Sequence, residues 1–473
     1  MDGRKVYLLL PFFVAFAIFA GGMLYADVDV VAEGGKVSTV DLAALKAELK
    51  REIKAELAAE RAPVSKPYGE VSAAIEEHGA LSGLFKGTTV SGFLDTNFSY
   101  NLRQHGEATS ENNGDIGGWN FIGENDDNSF VLQNFALWID KAATDEHPVG
   151  WQMHTYWGEL AKRITFLGEG AGTTGGTDDT ARNDIFTVAT ANITWNIPVG
   201  GRTIPTTMGK QYTWIGYELV ENIGNPNYSH GVTYNNAIPF THMGLSFDVS
   251  EFLPSDKWGL QLKYVNGWDS FIDNNESKSY GFYLTYQPND DFFISLATIY
   301  GNEGWNVREG GSVAQDFTST NNGGATMMYD IVATYALPQV EKLSLGANWD
   351  YGYIEDFIGH ADGSNGANFT GLSGAHWWAA VGYAMYDFTD NQQGAFRFEY
   401  LNDADGARAF GYSISTYTYT HNITIAENLM LRPEVRYNKH NVPSGEEPSH
   451  GKSTDNLTAD SETIFTIGAE YVF

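Results

Sequence analysis

From Gly87 onward, polar and apolar residues alternate with a period of two. "TVSGFLDTNFSYNL" puts Val90, Leu94, Phe98, Tyr100 and Leu102 on one face and Ser91, Asp95, Asn97, Ser99 and Asn101 on the other. "WQMHTYW" sets Trp151, Met153, Thr155 and Trp157 against Gln152, His154 and Tyr156. "GAFRFEYLN" places Phe396, Phe398 and Tyr400 opposite Arg397 and Glu399, and "LMLRPEVRY" places Leu429, Leu431, Val435 and Tyr437 opposite Met430, Arg432, Glu434 and Arg436. "ETIFTIGAEYVF" alternates likewise, with Phe465, Ile467, Ala469, Tyr471 and Phe473 against Thr466, Gly468 and Glu470. Successive strand residues point to opposite faces. Segments of this length, apolar on one face and polar on the other, read as strands of a membrane barrel whose polar face lines water.

The connections carry a second regularity. Long polar stretches at 103–127, 167–183, 215–235, 302–325, 355–374 and 440–460 interleave with short ones such as 142–148, 198–202, 251–256, 288–291, 338–341, 389–393 and 426–428. Outer-membrane barrels alternate long outside loops with short periplasmic turns in this way. The pattern predicts an all-β membrane protein over 88–473, a closed antiparallel barrel of about 16 strands, bracketed by about 14 and 18. The last strand is expected to pair with the first, leaving no open edge in hydrocarbon.

The amino-terminal part has a different period. Arg4 and Lys5 precede the apolar run "VYLLLPFFVAFAIFAGGML", and "YAD" offers a cleavage site after Ala26, so residues 1–26 read as a signal peptide. The competing reading is an uncleaved membrane anchor. Within 27–62, Leu42, Leu45, Leu49, Ile53 and Leu57 form a helical stripe, capped by Ser38 with Asp41 and ended by Pro63. It reads as a periplasmic amphipathic or coiled-coil helix, a source of self-association or a solvated spacer. Residues 63–87 read as a linker.

Composition narrows the partners. A formal charge of −31 argues against nucleic acid. There is no cysteine, which removes disulfides and thiolate metal sites. The 26 Tyr, 28 Phe and 52 Gly suit strands joined by tight turns. Trp138, Trp157, Trp195, Trp214, Trp258, Trp268 and Trp349 are expected in interfacial girdles.

Four stretches carry a resemblance: "VSGFLDTNFSYNL", "NSFVLQNFALWIDK", "PVGWQMHTYWGE" and "MGKQYTWIGYELVENIGNPNYSHGVTYNNAIPFTHMGLSFDV", Met208 to Val249. In this order they resemble the OmpL-like "beta-barrel porin-2" family of bacteria. The resemblance implies an outer-membrane channel and names no solute. A final Phe473 with Tyr471 on the last strand also resembles the carboxy-terminal signal read by barrel-assembly machinery.

A barrel of this width leaves an aqueous channel, and selectivity comes from its width and lining charges. Three places are candidates. The first is the third long loop, "IGYELVENIGNPNYSHG", with Glu218, Glu221, Asn222, Asn225, Tyr228 and His230; by analogy with general porins it is expected to fold inward as the constriction. The second is the lumen wall, Arg397, Glu399, Arg432, Glu434 and Arg436 with Lys210, which either face solute or pair with one another. The third is an acidic mouth, Glu107, Glu111, Asp115, Glu124, Asp126 and Asp127, which would concentrate cations. The competing reading of the first and third is an ordinary surface loop.

No catalytic residue, cofactor or metal site is expected. "HExxH" and "GxSxG" are absent, "GAGTTG" (Gly170 to Gly175) lacks a strand-to-helix setting, and "NDDN" (Asn125 to Asn128) lacks a full set of oxygen ligands. The expected function is passive, mildly cation-preferring diffusion of small hydrophilic solutes and ions across the bacterial outer membrane. Lipid and lipopolysaccharide would face the wall, and a homotrimer is plausible by analogy. Two alternatives belong to other classes: a barrel sheathing an electron conduit or serving as a loop-based receptor or adhesin, and a barrel enzyme.

Overall fold

A computed structural model describes residues 87–102, 129–165, 185–273, 277–303, 305–307, 313–315, 325–340, 342–355, 358–360, 369–371, 374–408, 412–441 and 461–473. All belong to the compact unit Ala62–Phe473. The expected signal peptide, helix and linker, the six acidic mouth residues, and the "NDDN" and "GAGTTG" stretches lie outside the described residues.

Sixteen strands close into one antiparallel barrel. In chain order they are β1 (Thr88–Asn101), β2 (Ser129–Lys141), β3 (Val149–Trp157), β4 (Phe186–Val199), β5 (Arg202–Tyr212), β6 (Thr241–Asp248), β7 (Trp258–Val265) and β8 (Ser279–Tyr286). The wall continues with β9 (Phe292–Asn302), β10 (Ala325–Ala336), β11 (Leu343–Ile354), β12 (Ala375–Thr389), β13 (Gln392–Asn402), β14 (Ser413–Ala426), β15 (Leu429–Asn441) and β16 (Ser461–Val472). Two short hairpins, Trp305–Val307 with Val313–Gln315 and Ile358–His360 with Phe369–Gly371, form separate sheets in the long connections. Among the described residues are the short α-helices α1 (Glu159–Thr165) and α2 (Val232–Ala237).

Closure follows from register. β16 pairs with β1 so that Leu94 faces Tyr471, Asp95 faces Glu470 and Phe98 faces Ile467. Phe473 completes the seam: its backbone exchanges two hydrogen bonds of 2.9 Å with Gly92, and its ring stacks on Phe135. No strand edge is left to expose backbone groups to hydrocarbon, where each would cost several kcal/mol.

The two faces are those the alternation predicts. Phe130, Met208 and Ile467 are 89%, 67% and 54% exposed, while Ser91, Asp95, Asn97, Arg397, Glu399, Thr466 and Glu470 are buried inside. Thr155 departs from the pattern. The register of β3 on β4 shifts between His154 and Thr155, and Thr155 is buried with its hydroxyl donating to Leu137 O. Such an irregularity breaks the period of two locally.

The tryptophans divide. Trp195, beside the first residue of β3, and Trp258, the first residue of β7, are exposed near short turns, and Trp157 ends β3 against the Phe135 and Phe186 rings. Trp138 and Trp268 are instead buried, the first packing edge-on against Phe93 and the second against Trp377. Trp214 packs on His242 with Lys263 over its ring. Trp349 sits at mid-strand, opposite Ile331 and Ala380. Composition marks amphipathic rings, but only the fold decides which of them reach an interface.

Candidate functional site

Residues 213–240 join β5 to β6 and form the third long connection, here called L3. It is unlike a solvated loop in composition. Ile215, Val220, Val232, Ala237, Ile238 and Phe240 are all buried in the apolar cluster inside the barrel. Burial of these side chains supplies the drive to fold inward. Polar bonds to the wall then fix where the loop lies.

The path can be followed bond by bond. Trp214 donates its indole N–H to Thr298 O of β9 (3.1 Å). Tyr217 donates its backbone N–H to Asn348 Oδ1 of β11 and stacks on Tyr383 of β12 with ring centroids 4.2 Å apart. Glu218 is paired with Arg397 of β13 and accepts the Gly231 N–H at 2.7 Å. Glu221 accepts the Tyr156 hydroxyl of β3. Arg432 of β15 donates to Asn222 O (2.8 Å) and Asn225 O (2.5 Å) while contacting Glu470 of β16 at 3.1 Å.

The return limb is held as closely. Asn225 fastens L3 to itself, accepting from Leu219 N and donating to Leu219 O at 2.8 and 2.9 Å, with His230 Nε2 at 3.1 Å from its amide. Asn227 donates to Thr420 Oγ1 of β14. Tyr228 donates its hydroxyl to Asp95 Oδ1 of β1 at 2.8 Å, and its N–H to Glu434 Oε2 of β15 at 2.8 Å. Ser229 donates to the same carboxylate, and Arg436 donates to His230 O at 2.8 Å. The first turn of α2 donates Val232 N and Thr233 N to Glu399 of β13, which also lies 3.1 Å from Arg397 Nε. Trp377 of β12 donates to Ala237 O.

Every residue expected in the constriction loop (Glu218, Glu221, Asn222, Asn225, Tyr228 and His230) is buried, and so is every expected wall residue. The structure brings the two groups together. Arg397, Arg432 and Arg436 are fully buried against L3, and the first two also contact carboxylates. A desolvated guanidinium is tolerable only where its donors are filled, and L3 carbonyls do much of the filling. Lys210 also differs. It pairs in register with Ala191 and Met243, donates to Val188 O at 2.8 Å, and lies under Phe271 of the loop after β7.

Several participants were not singled out in the sequence. Asp95 was on the polar face of β1, yet nothing local marks it as the partner of Tyr228. Asp330 and Asp350 stand directly opposite each other on β10 and β11, both buried, with Asn348 donating to Asp330 Oδ2. Their inward parity was readable; their pairing needed the register. At the outer rim, Arg408 lies over the Trp268 and Trp377 rings at 5.0 and 5.2 Å. Nearby, Asp269 accepts the Phe240 and Thr241 N–H groups, and Glu303 accepts the Trp268 N–H and the Ser279 hydroxyl. Burial pushes the Asp269 carboxyl up to about 6 and that of Glu303 up to about 7. Among the described residues no group of three or more His, Asp or Glu side chains could hold a metal ion.

Residues 87–473 match the family described as "Putative beta-barrel porin-2, OmpL-like". Among solved structures, the chain is similar to OmpF of Salmonella typhi in complex with daunomycin (13% identity, TM-score 0.49, 82% of this chain and 98% of that one). It is similar to the outer membrane channel DcaP of Acinetobacter baumannii (12%, 0.48, 82% and 98%) and to an anion-selective porin from Comamonas acidovorans (11%, 0.45, 82% and 99%). No curated protein matches it.

Proposed function

With the match spanning residues 87–473, the chain belongs to the OmpL-like beta-barrel porin-2 family and is an outer-membrane porin, and from that premise we propose that L3 sets its constriction and its ion preference. Passage through such a channel is passive diffusion, and no bond is made or broken. The reading takes small hydrophilic solutes and ions as cargo, a homotrimer as the assembled form, and outer-membrane lipid and lipopolysaccharide as the surroundings of the apolar face. A cleaved signal peptide would deliver the chain, and no catalytic step is assigned to it.

The observation that carries the reading is the charge balance where L3 meets the wall. Carboxylates of Asp95, Glu218, Glu399, Glu434 and Glu470 gather around the guanidinium groups of Arg397, Arg432 and Arg436. Acids therefore outnumber bases by five to three among these residues. A narrow water path beside such a set feels a negative potential, strengthened by low-dielectric walls.

The test is the reversal potential of the purified protein in a planar bilayer under a salt gradient. A cation preference is expected, weakening as salt rises and screening shortens. Replacing Glu218 and Glu221 together by Gln should reduce that preference or change single-channel conductance. An anion preference in the unaltered protein would reject the charge argument, and no response to the double substitution would remove L3 from the constriction.

A further inference from the structure

One chain of contacts leads from L3 toward the short-turn end of the wall. Asp140 Oδ1 lies 3.1 Å from His154 Nε2, and His154 Nδ1 lies 3.0 Å from the Tyr212 hydroxyl. Tyr212 and Tyr156 share a hydrogen bond between their hydroxyls, and Tyr156 donates to Glu221 Oε1. The links come from β2, β3 and β5 and end on L3. Asp140 is about one-third exposed at its side chain, whereas His154 and Glu221 are buried.

Counting protons along the chain decides what it can hold. A tyrosine hydroxyl has one proton to give; a neutral imidazole gives from one nitrogen and accepts at the other. Take His154 neutral and Glu221 ionised. Nε2–H serves Asp140, so Nδ1 needs the Tyr212 proton. Tyr156 has given its proton to Glu221. No proton is then left for the Tyr212–Tyr156 contact, and two oxygen lone pairs face each other.

One added proton fills every link, whether it sits at the Asp140–His154 end or on Glu221. With an imidazolium, Nδ1–H donates to Tyr212, Tyr212 to Tyr156 and Tyr156 to Glu221. With a protonated Glu221, the same hydroxyls turn round and donate in order from Glu221 to Tyr156, Tyr212 and His154. A chain whose donors all point one way also strengthens each of its bonds.

We propose that Asp140, His154, Tyr212, Tyr156 and Glu221 form a relay that binds one proton, and that His154 is the positioning residue through which this proton tightens L3 against β3. Losing the proton leaves the Tyr212–Tyr156 contact unfilled and weakens the Glu221 tether. The groups facing His154 are Asp140 from β2, Tyr156 on its own strand, Tyr212 from β5 and, beyond the tyrosines, Glu221 from L3. The Trp138 ring covers it at 5.2 Å, and its register partner on β4 is Thr190, which does not titrate.

The proposal rests on the constriction reading for its effect on current, but not for its effect on L3 itself. The experiment therefore reads both: hydrogen exchange of the L3 amides from Glu218 to Gly231, and single-channel conductance, each from pH 5 to 8 on the full-length protein. The protection factor, which is exchange corrected for the intrinsic base-catalysed rate at each pH, is expected to rise by at least about threefold on the acid side as local opening becomes harder, and conductance to change over the same range. Tyr212→Phe, which keeps His154 and Asp140 but breaks the middle of the relay, should abolish the exchange step. His154→Gln should remove it, with retained heat-modifiable migration showing that the barrel has folded. An exchange step without a conductance step supports the relay and counts against L3 as the constriction. A flat protection-factor profile in the unaltered protein, or an unchanged step in Tyr212→Phe, overturns the relay.

Discussion

Arg397 shows how a single side chain is made to fit where no water reaches. It sits on β13 between two carboxylates, Glu218 from L3 and Glu399 from its own strand, and it also donates to Ser229 O at 2.7 Å. Removing such a cation does not simply lose a bond; it strands the acids it served. Arg397→Ala is expected to cost about 3–5 kcal/mol of the attachment of L3. The strand ladder keeps its backbone pairing. Denaturant unfolding should show a lowered first transition, and bilayer recordings should show a larger or noisier conductance. An unchanged midpoint and conductance would mean that the pair does not hold L3. The inward direction of Arg397 and Glu399 was legible from alternation with Phe396 and Phe398. Their burial was not, because a period of two says which face a residue is on and nothing about what covers that face.

At the scale of elements, L3 is the piece that turns an open wall into a filled one. Glycines on both sides of its contact with the wall make room. A Cβ on Gly468 would come within 2.2 Å of the Tyr228 ring, and one on Gly231 within 2.1 Å of Glu399 Oε1. Gly468→Val should push Tyr228 off β16 and break its bond to Asp95. Because L3 is tied at many other points, the barrel is expected to assemble with normal heat-modifiable migration while exchange of the amides around Tyr228 rises by about tenfold or more. Normal protection there would show that the close approach of Tyr228 to β16 is dispensable. The sequence did mark L3 as different from the other long connections. It could not supply the destinations of its bonds, since Asp95, Tyr156 and Glu434 sit on three separate strands that only barrel closure brings around it.

At the scale of the whole molecule, the outer rim ties several connections together through Trp268, Trp377, Arg408, Asp269 and Glu303. Glu303 gives this region a pH dependence whose sign can be worked out. Its carboxyl is raised by burial from 4.5 to about 7, so the folded chain holds a proton that the unfolded chain has released across that interval. Stability therefore falls as pH rises from about 4.5 to 7, by about 3 kcal/mol at most, and levels off above. Glu303→Gln should flatten the decline in denaturant midpoint between pH 5 and 8; an equally steep decline in the variant would assign it to another group. What the amino-acid order determined by itself is the wall: which side chains meet lipid, a strand count near sixteen and which two strands meet at the seam. Those are consequences of a period of two and of connection length, both readable within a few residues. What only the tertiary structure decided is the state of the lumen. Tyr228 meets Glu434 across 206 positions of chain, and whether a wall charge faces water or a loop is settled by such distant encounters. Burial and desolvation are properties of that encounter, which is why the arginine ladder and an inward L3 could be expected from the sequence but the bonds between them could not.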